Sequence, residues 1–198
     1  MRSIKTFCLG TCETLLSTVD NNELETHLEL DSHADTSCLG EGDLILKDYM
    51  IPVNVQGYGP VLGTRSYRTI SGAVCYDHPL SGQIYHIVIH QSTEILGLKH
   101  HLLCPMQVRT NGVTVNDCPK YLCDQPIDET HTIVCADEWA EKVVLPLIFN
   151  GVTSCLPVWS LIESEWQYTT YPRVTLNNSD LTWDPSSHIY AEQENGYV

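Results

Sequence analysis

The sequence predicts an all-β, closed-barrel domain over residues 24–117. Three observations predict it: short runs in which apolar and polar residues alternate with period two, turn residues recurring roughly every eight to twelve positions, and no long stretch with the period of a helix. The 198 residues are 42% apolar, enough for a core, and their length suits one domain with an appendage.

Residues 1–23 read as a lead-in, with a helical turn at Glu13-Thr14-Leu15-Leu16. Glu25 to Leu30 alternates like a half-buried strand, and Asp31 to Gly40 is a polar loop that turns apolar again at Cys38 and Leu39. Val53-Asn54-Val55 is a short strand running into Gly57-Tyr58-Gly59-Pro60, the composition of a flexible hairpin tip. Thr69–Asp77 and Gln83–Gln91 flank the turn residues His78-Pro79-Leu80-Ser81-Gly82, which predicts a hairpin. Lys99 to Val108 predicts a short helix with His100 and His101 at its start and Gly112 as its stop, ahead of a strand at Val113-Thr114-Val115.

Beyond Asp117 the character changes. Residues 118–142, with Pro119 and Pro126, read as a linker. Residues 143–162 read as a C-terminal β-hairpin around Asn150-Gly151, whose type I′ turn sets Phe149 opposite Val152, Leu147 opposite Ser154 and Leu145 opposite Leu156. Residues 163–198 form an acidic, irregular tail.

The charge of −15, with ten Lys plus Arg, repels a phosphate backbone and argues against direct nucleic-acid binding. The uncharged run Val143 to Ile162 contains Pro146, Pro157 and Asn150-Gly151, which argues against a membrane span. No continuous apolar stretch opens the chain, so the nine cysteines are expected as reduced thiols of a cytoplasmic protein. Cys8/Cys12 and Cys118/Cys123 lack the Cys-x-x-Cys spacing of a zinc ribbon, and structural thiols are the expectation.

The chemistry gathers at Leu30-Asp31-Ser32-His33-Ala34-Asp35-Thr36. A strand that delivers Asp31 into a tight, small-residue loop fixes a carboxylate for acid–base work. One carboxylate cannot both activate water and protonate a leaving amine. Two carboxylates about 3 Å apart, sharing one proton, can. The chain carries a single such loop, so a complete site requires two copies related by a two-fold axis.

Glu29 to Thr36 resembles the retroviral protease segment in which a strand leads to Asp, Ser or Thr, Gly, Ala, Asp. Gly57-Tyr58-Gly59-Pro60 falls where such proteases carry their flap, and Ile95-Leu96-Gly97 is similar to their hydrophobic-hydrophobic-Gly signature. Lys99 to Val108, followed by Asn111 to Val115, is similar to the end of the protease in copia-type retrotransposon polyproteins. Asp-Ser-His-Ala-Asp, with the later Pro172-Arg173 and Trp183-Asp184-Pro185, also resembles copia-like chains. The likeness covers residues 24–117 closely and 143–187 loosely. It implies a retropepsin-like, homodimeric aspartic endopeptidase that cleaves extended polyprotein segments without metal or organic cofactor. Asp31 is the implied catalytic residue, with Ser32 bracing the loop across the dimer. Ala34 and Asp35 would line the substrate cleft, and Gly57, Tyr58 and Gly59 would close over it. The gag, integrase and polymerase regions of such a polyprotein are not among these residues, which implies a fragment, a processed piece or a decayed insertion. His33 stands where the family pattern has Gly, so a β-carbon and imidazole there are expected to crowd the dyad or strain the loop.

Two other readings belong to different classes. Asp31, His33 and Asp35 on an extended segment project to one face and make a divalent-metal hydrolase conceivable, with His86, His90, His100 or His101 completing the shell. A decayed protease serving as a dimerisation or scaffold module needs no catalysis, and the aromatic tail (Trp159, Trp166, Tyr168, Tyr171, Trp183) suits extended binding. A serine nucleophile is unsupported because no Gly-x-Ser-x-Gly elbow occurs, and a Cys–His pair has no local signature.

Overall fold

A computed structural model of the chain describes residues 2–4, 26–56, 64–179 and 183–196. The predicted flap tip and the predicted turn at Glu13–Leu16 lie outside these residues. The protein is mostly β. In chain order the strands are β1 (Arg2–Ile4), β2 (Thr26–Leu30), β3 (Cys38–Leu39), β4 (Leu44–Gln56), β5 (Thr64–Asp77), β6 (Ile84–Glu94), β7 (His101–Leu103) and β8 (Thr114–Asn116). They continue with β9 (Thr132–Ala136), β10 (Lys142–Pro146), β11 (Ile148–Asn150), β12 (Thr153–Val158) and β13 (Arg173–Thr175). Three short helices, α1 (Pro105–Arg109), α2 (Glu163–Tyr168) and α3 (Ile189–Asn195), punctuate them.

The main sheet runs β1-β4-β5-β6-β3-β7-β2-β12-β11, with β13 added in parallel beside β6. The path has two free ends rather than the continuous ring expected of a closed barrel. One bridge links strands inside those ends: Cys75 and Trp159 exchange backbone hydrogen bonds, each of 3.0 Å, tying β5 to the chain just beyond β12. β8, β9 and β10 form a separate three-stranded sheet. The main core lies between these layers and holds Leu28, Leu39, Ile70, Val74, Ile87, Ile89, Leu103, Ile133, Leu145 and Leu156.

Alternation explains most strands, as in β10, where Val143 and Leu145 face the core while Lys142 is exposed. The centres of β5 and β6 are instead buried on both faces, as their continuous apolar composition requires. The strand following the Asp31 loop, β3, is threaded between β6, which it joins in parallel, and β7, which it joins antiparallel. That approach leaves no room at Gly40, where a β-carbon would sit 2.2 Å from the Leu98 carbonyl oxygen.

Several expectations are corrected. Residues 118–142 are not merely a linker, because β9 buries Ile133 completely and pairs on both edges. The hairpin at 143–162 exists only as β11–β12, with Phe149 opposite Ser154 and Gly151-Val152 at the turn. The turn therefore sits one residue later than expected, and each cross-strand partner shifts by two. Gly151 takes a left-handed φ of 63°, and β12 is held in place by β2 on its other edge. Leu145 pairs with Ile133, not Leu156, because Pro146 ends β10 and the chain changes sheet. The tail is partly regular, carrying α2, β13 and α3. His101 does not start a helix: it lies buried in β7, and the helix begins at Pro105 behind an N-cap in which Cys104 Sγ accepts from the Gln107 amide.

Leu103 is fully buried in the core and pairs with Leu30, the residue before Asp31. Leu103→Ala is expected to lower the unfolding free energy by about 3 kcal/mol in urea titration, whereas a loss below about 1 kcal/mol would show the site collapsing around the deletion.

Candidate active site

Asp31 stands where β2 ends. Its amide donates to the Leu103 carbonyl at 3.0 Å, extending the β2–β7 ladder by one bond, and its own carbonyl accepts from the Ala34 amide at 3.2 Å. The loop then folds back on the side chain: the His33 amide donates to Asp31 Oδ1 at 2.9 Å. This Asx-type contact orients one carboxylate oxygen through backbone alone. The Asp31 side chain is 16% exposed and that of His33 77% exposed, with 3.9 Å between His33 Nδ1 and Asp31 Oδ1. His33 is not among the residues of positive φ. The imidazole therefore points to solvent on an ordinary backbone, and the expected strain at this position does not arise within the single chain. Ser32 is exposed at the loop's tip.

Behind the loop is a buried polar frame. The Ser37 amide donates to Gln107 Oε1 at 2.9 Å, and Ser37 Oγ accepts from the Cys104 amide at 3.1 Å. The Gly40 amide donates to His101 Nδ1 at 3.0 Å. Gln107 Nε2 reaches the carbonyl of Gln91, whose left-handed backbone (φ 49°) interrupts β6. Thr36 and Ser37 are buried, so these partners replace the water the loop excludes.

Ala34 is covered rather than open, while Asp35 is half-buried. Ala34 is 4% exposed and packs with Cys104, Trp183 and Tyr190. Trp183 Nε1 donates to the Asp35 carbonyl at 2.8 Å and to Thr36 Oγ1 at 3.0 Å, while the Trp183 amide donates to Gln91 Oε1. The far tail thus seals one flank of the loop. Gly57, Tyr58 and Gly59 fall outside the described residues, but their arms β4 and β5 pair out to Gln56 opposite Thr64.

Among the described residues, no group of three His, Cys, Asp or Glu side chains is arranged to hold a metal ion. His86 is instead buried between Trp166 and Tyr171, and burial lowers its pKa. His90 Nδ1 meets Ser71 Oγ at 2.8 Å. A depression of about 310 Å³ is lined by His90, Asn111, Thr175, Asn177, Asn178 and Ser179. A second acidic cluster sits at the base of the β4–β5 arms, where Arg68 binds Glu94 and Asp48. There burial, and then the Glu94 charge, push the Asp43 carboxyl up to about 6.

Sequence reasoning missed Gln107, Ser37 and Gln91. The one local hint was a glutamine between Met106 and Val108 in an otherwise apolar stretch. Trp183 was visible as part of a motif, but its place on the loop was not. Among the described residues no helix is long and apolar enough to cross a membrane. Comparison of the chain with protein-family models, curated proteins and solved structures gives no match.

Two predictions follow from this frame. Trp183→Phe removes both indole hydrogen bonds and is expected to cost about 1–2 kcal/mol in thermal or urea unfolding; no loss would mean the tail does not hold the loop. His101 is pushed down from its ordinary 6.5 to about 4 by burial, then by the neighbouring His100. The unfolded chain binds this proton first, so the stabilisation is complete above about 6.5 and is lost as pH falls towards 4. Asp43 works oppositely, its contribution fading as pH rises from its ordinary 3.8 through about 6. Comparing unfolding of the wild type with His101→Gln between pH 4 and 7 isolates the histidine, and parallel pH profiles for the two proteins would refute its role.

Proposed function

We propose that the chain is a retropepsin-type aspartic endopeptidase that acts as a homodimer on extended peptide segments of a retroelement polyprotein. The observation that carries the reading is the Asp31 loop, with a carboxylate at a strand end, one oxygen held by the His33 amide, and the His33 imidazole exposed with its Nδ1 3.9 Å from that oxygen. The bridge from Trp159 to Cys75 supports a barrel-derived fold, since it ties β5 to the chain just beyond β12, five strands along the path.

In this reading the Asp31 carboxyls of two copies share one proton across the two-fold axis. The ionised one takes a proton from water as its oxygen attacks the peptide carbonyl. The protonated one gives its proton up to the tetrahedral intermediate, and the leaving nitrogen is protonated as the C–N bond breaks. Exposed Ser32 meets its counterpart across the axis, and the substrate lies as an added strand against the Asp31 loop. The chemistry needs neither metal nor organic cofactor, and reduced thiols fit a cytoplasmic setting.

One observation favours the non-catalytic scaffold reading instead. Trp183 covers Ala34 and Asp35, so substrate can use that flank only if the tail withdraws.

The test is cleavage of a polyprotein junction peptide at mildly acidic pH, blocked by a statine-type inhibitor. Asp31→Asn keeps an acceptor for the His33 amide and so preserves the loop, and it is expected to reduce cleavage by at least about 100-fold. Cleavage that survives this substitution refutes the aspartic mechanism. A dimer that cleaves nothing establishes the scaffold.

A further inference from the structure

The cysteines divide sharply by environment. Cys38, Cys75, Cys104, Cys135 and Cys155 are buried, and burial pushes the thiols of Cys75 and Cys135 up to about 12. Cys118 is exposed and Cys123 partly so. Between those two, Pro119 leads into one 3-10 turn, Lys120–Leu122, closed by the Leu122 amide on the Pro119 carbonyl (3.0 Å) and the Cys123 amide on the Lys120 carbonyl (3.2 Å). The turn brings its two ends together: Cys123 Sγ donates to Cys118 Sγ at 3.4 Å. A disulfide has its sulfurs about 2.0 Å apart, so side-chain rotation need close only about 1.4 Å from the 3.4 Å observed.

We propose that Cys118 and Cys123 form a redox-active dithiol that is oxidised reversibly by low-molecular-weight disulfides. Cys118, the more exposed sulfur and the acceptor in the pair, attacks as thiolate on one sulfur of the reagent. The reagent's S–S bond breaks, a mixed disulfide forms on Cys118, and one thiolate leaves. Cys123 then loses its proton to solvent and attacks the Cys118 sulfur, expelling the second thiolate. Two protein thiols give up two electrons and two protons, and one reagent disulfide becomes two thiols. The hydrogen bond to Cys118 keeps Cys123 protonated until this second step.

Closure fixes the segment that presents Tyr121 and Leu122, whose side chains are largely solvent-exposed. Tyr121 contacts Phe149 with ring centroids 6.3 Å apart, and Phe149 stacks on His131 at 4.6 Å. Phe149 belongs to β11, an end strand of the main sheet, so the dithiol segment packs beside a sheet edge.

The experiment uses the full chain equilibrated with glutathione disulfide, then alkylated and peptide-mapped. Alkylation of Cys118 and Cys123 is expected to fall together by at least about tenfold, and to return with a dithiol reductant. The buried cysteines stay unoxidised, and mapping separates Cys8 and Cys12. Cys123→Ser, folded by circular dichroism, is expected to trap glutathione on Cys118, since the resolving sulfur is gone. The proposal fails if both thiols stay fully alkylatable in the wild type. It also fails if each carries its own glutathione with no bond between them.

Discussion

The insertion of β3 between β6 and β7 is the constraint on which the rest of the structure depends. Two strands consecutive in sequence are held apart by a third that precedes both, so none of the three can shift register without breaking a ladder on either side. The polypeptide from Asp31 to Gly40 must therefore leave β2, turn sharply and re-enter the sheet two strands away. Its polar backbone is enclosed in the process. Gly40 is the point where this crossing is tightest, and the contact with Leu98 and the bond to His101 Nδ1 are made there.

Enclosure explains why so many buried polar groups surround the loop. Thr36, Ser37, His101 and Gln107 are almost wholly inaccessible, and each has a partner drawn from another segment. A hydrogen bond that replaces water contributes modestly, whereas the same group left alone inside the sheet costs considerably more. The loop's rigidity is thus a consequence of satisfying its backbone. Within that frame the Asp31 side chain is 16% exposed, with one carboxylate oxygen held by the His33 amide. A histidine fits the third loop position because the turn is built on hydrogen bonds rather than on a left-handed residue.

The tail links the two ends of the molecule. Trp183 bonds to residues about 147 positions earlier, and β13 extends the sheet alongside β6. A face that the first 117 residues leave open is thereby covered by the chain's own later segment. The indole of Trp183 occupies the flank of the loop beside Ala34 and the Asp35 carbonyl.

Local pattern determined several of the strands and the loop that follows β2. Alternation marks β2, the Thr69–Asp77 and Gln83–Gln91 runs mark the β5–β6 hairpin, and the polar residues from Asp31 onward mark the loop at the end of β2. Each of these signals lies within about ten residues, the range over which side-chain period and turn chemistry act. The tertiary structure alone decided which strands are neighbours, that Asn150 pairs rather than turns, that His101 lies in a strand, and that Trp183 caps Ala34. Those outcomes depend on filling a shared core and on pairing buried polar groups across 60 to 150 residues of chain, roughly the separations of the Gly40–His101 and Thr36–Trp183 bonds. No short window of sequence contains both partners of such a contact, so only the folded chain reveals it.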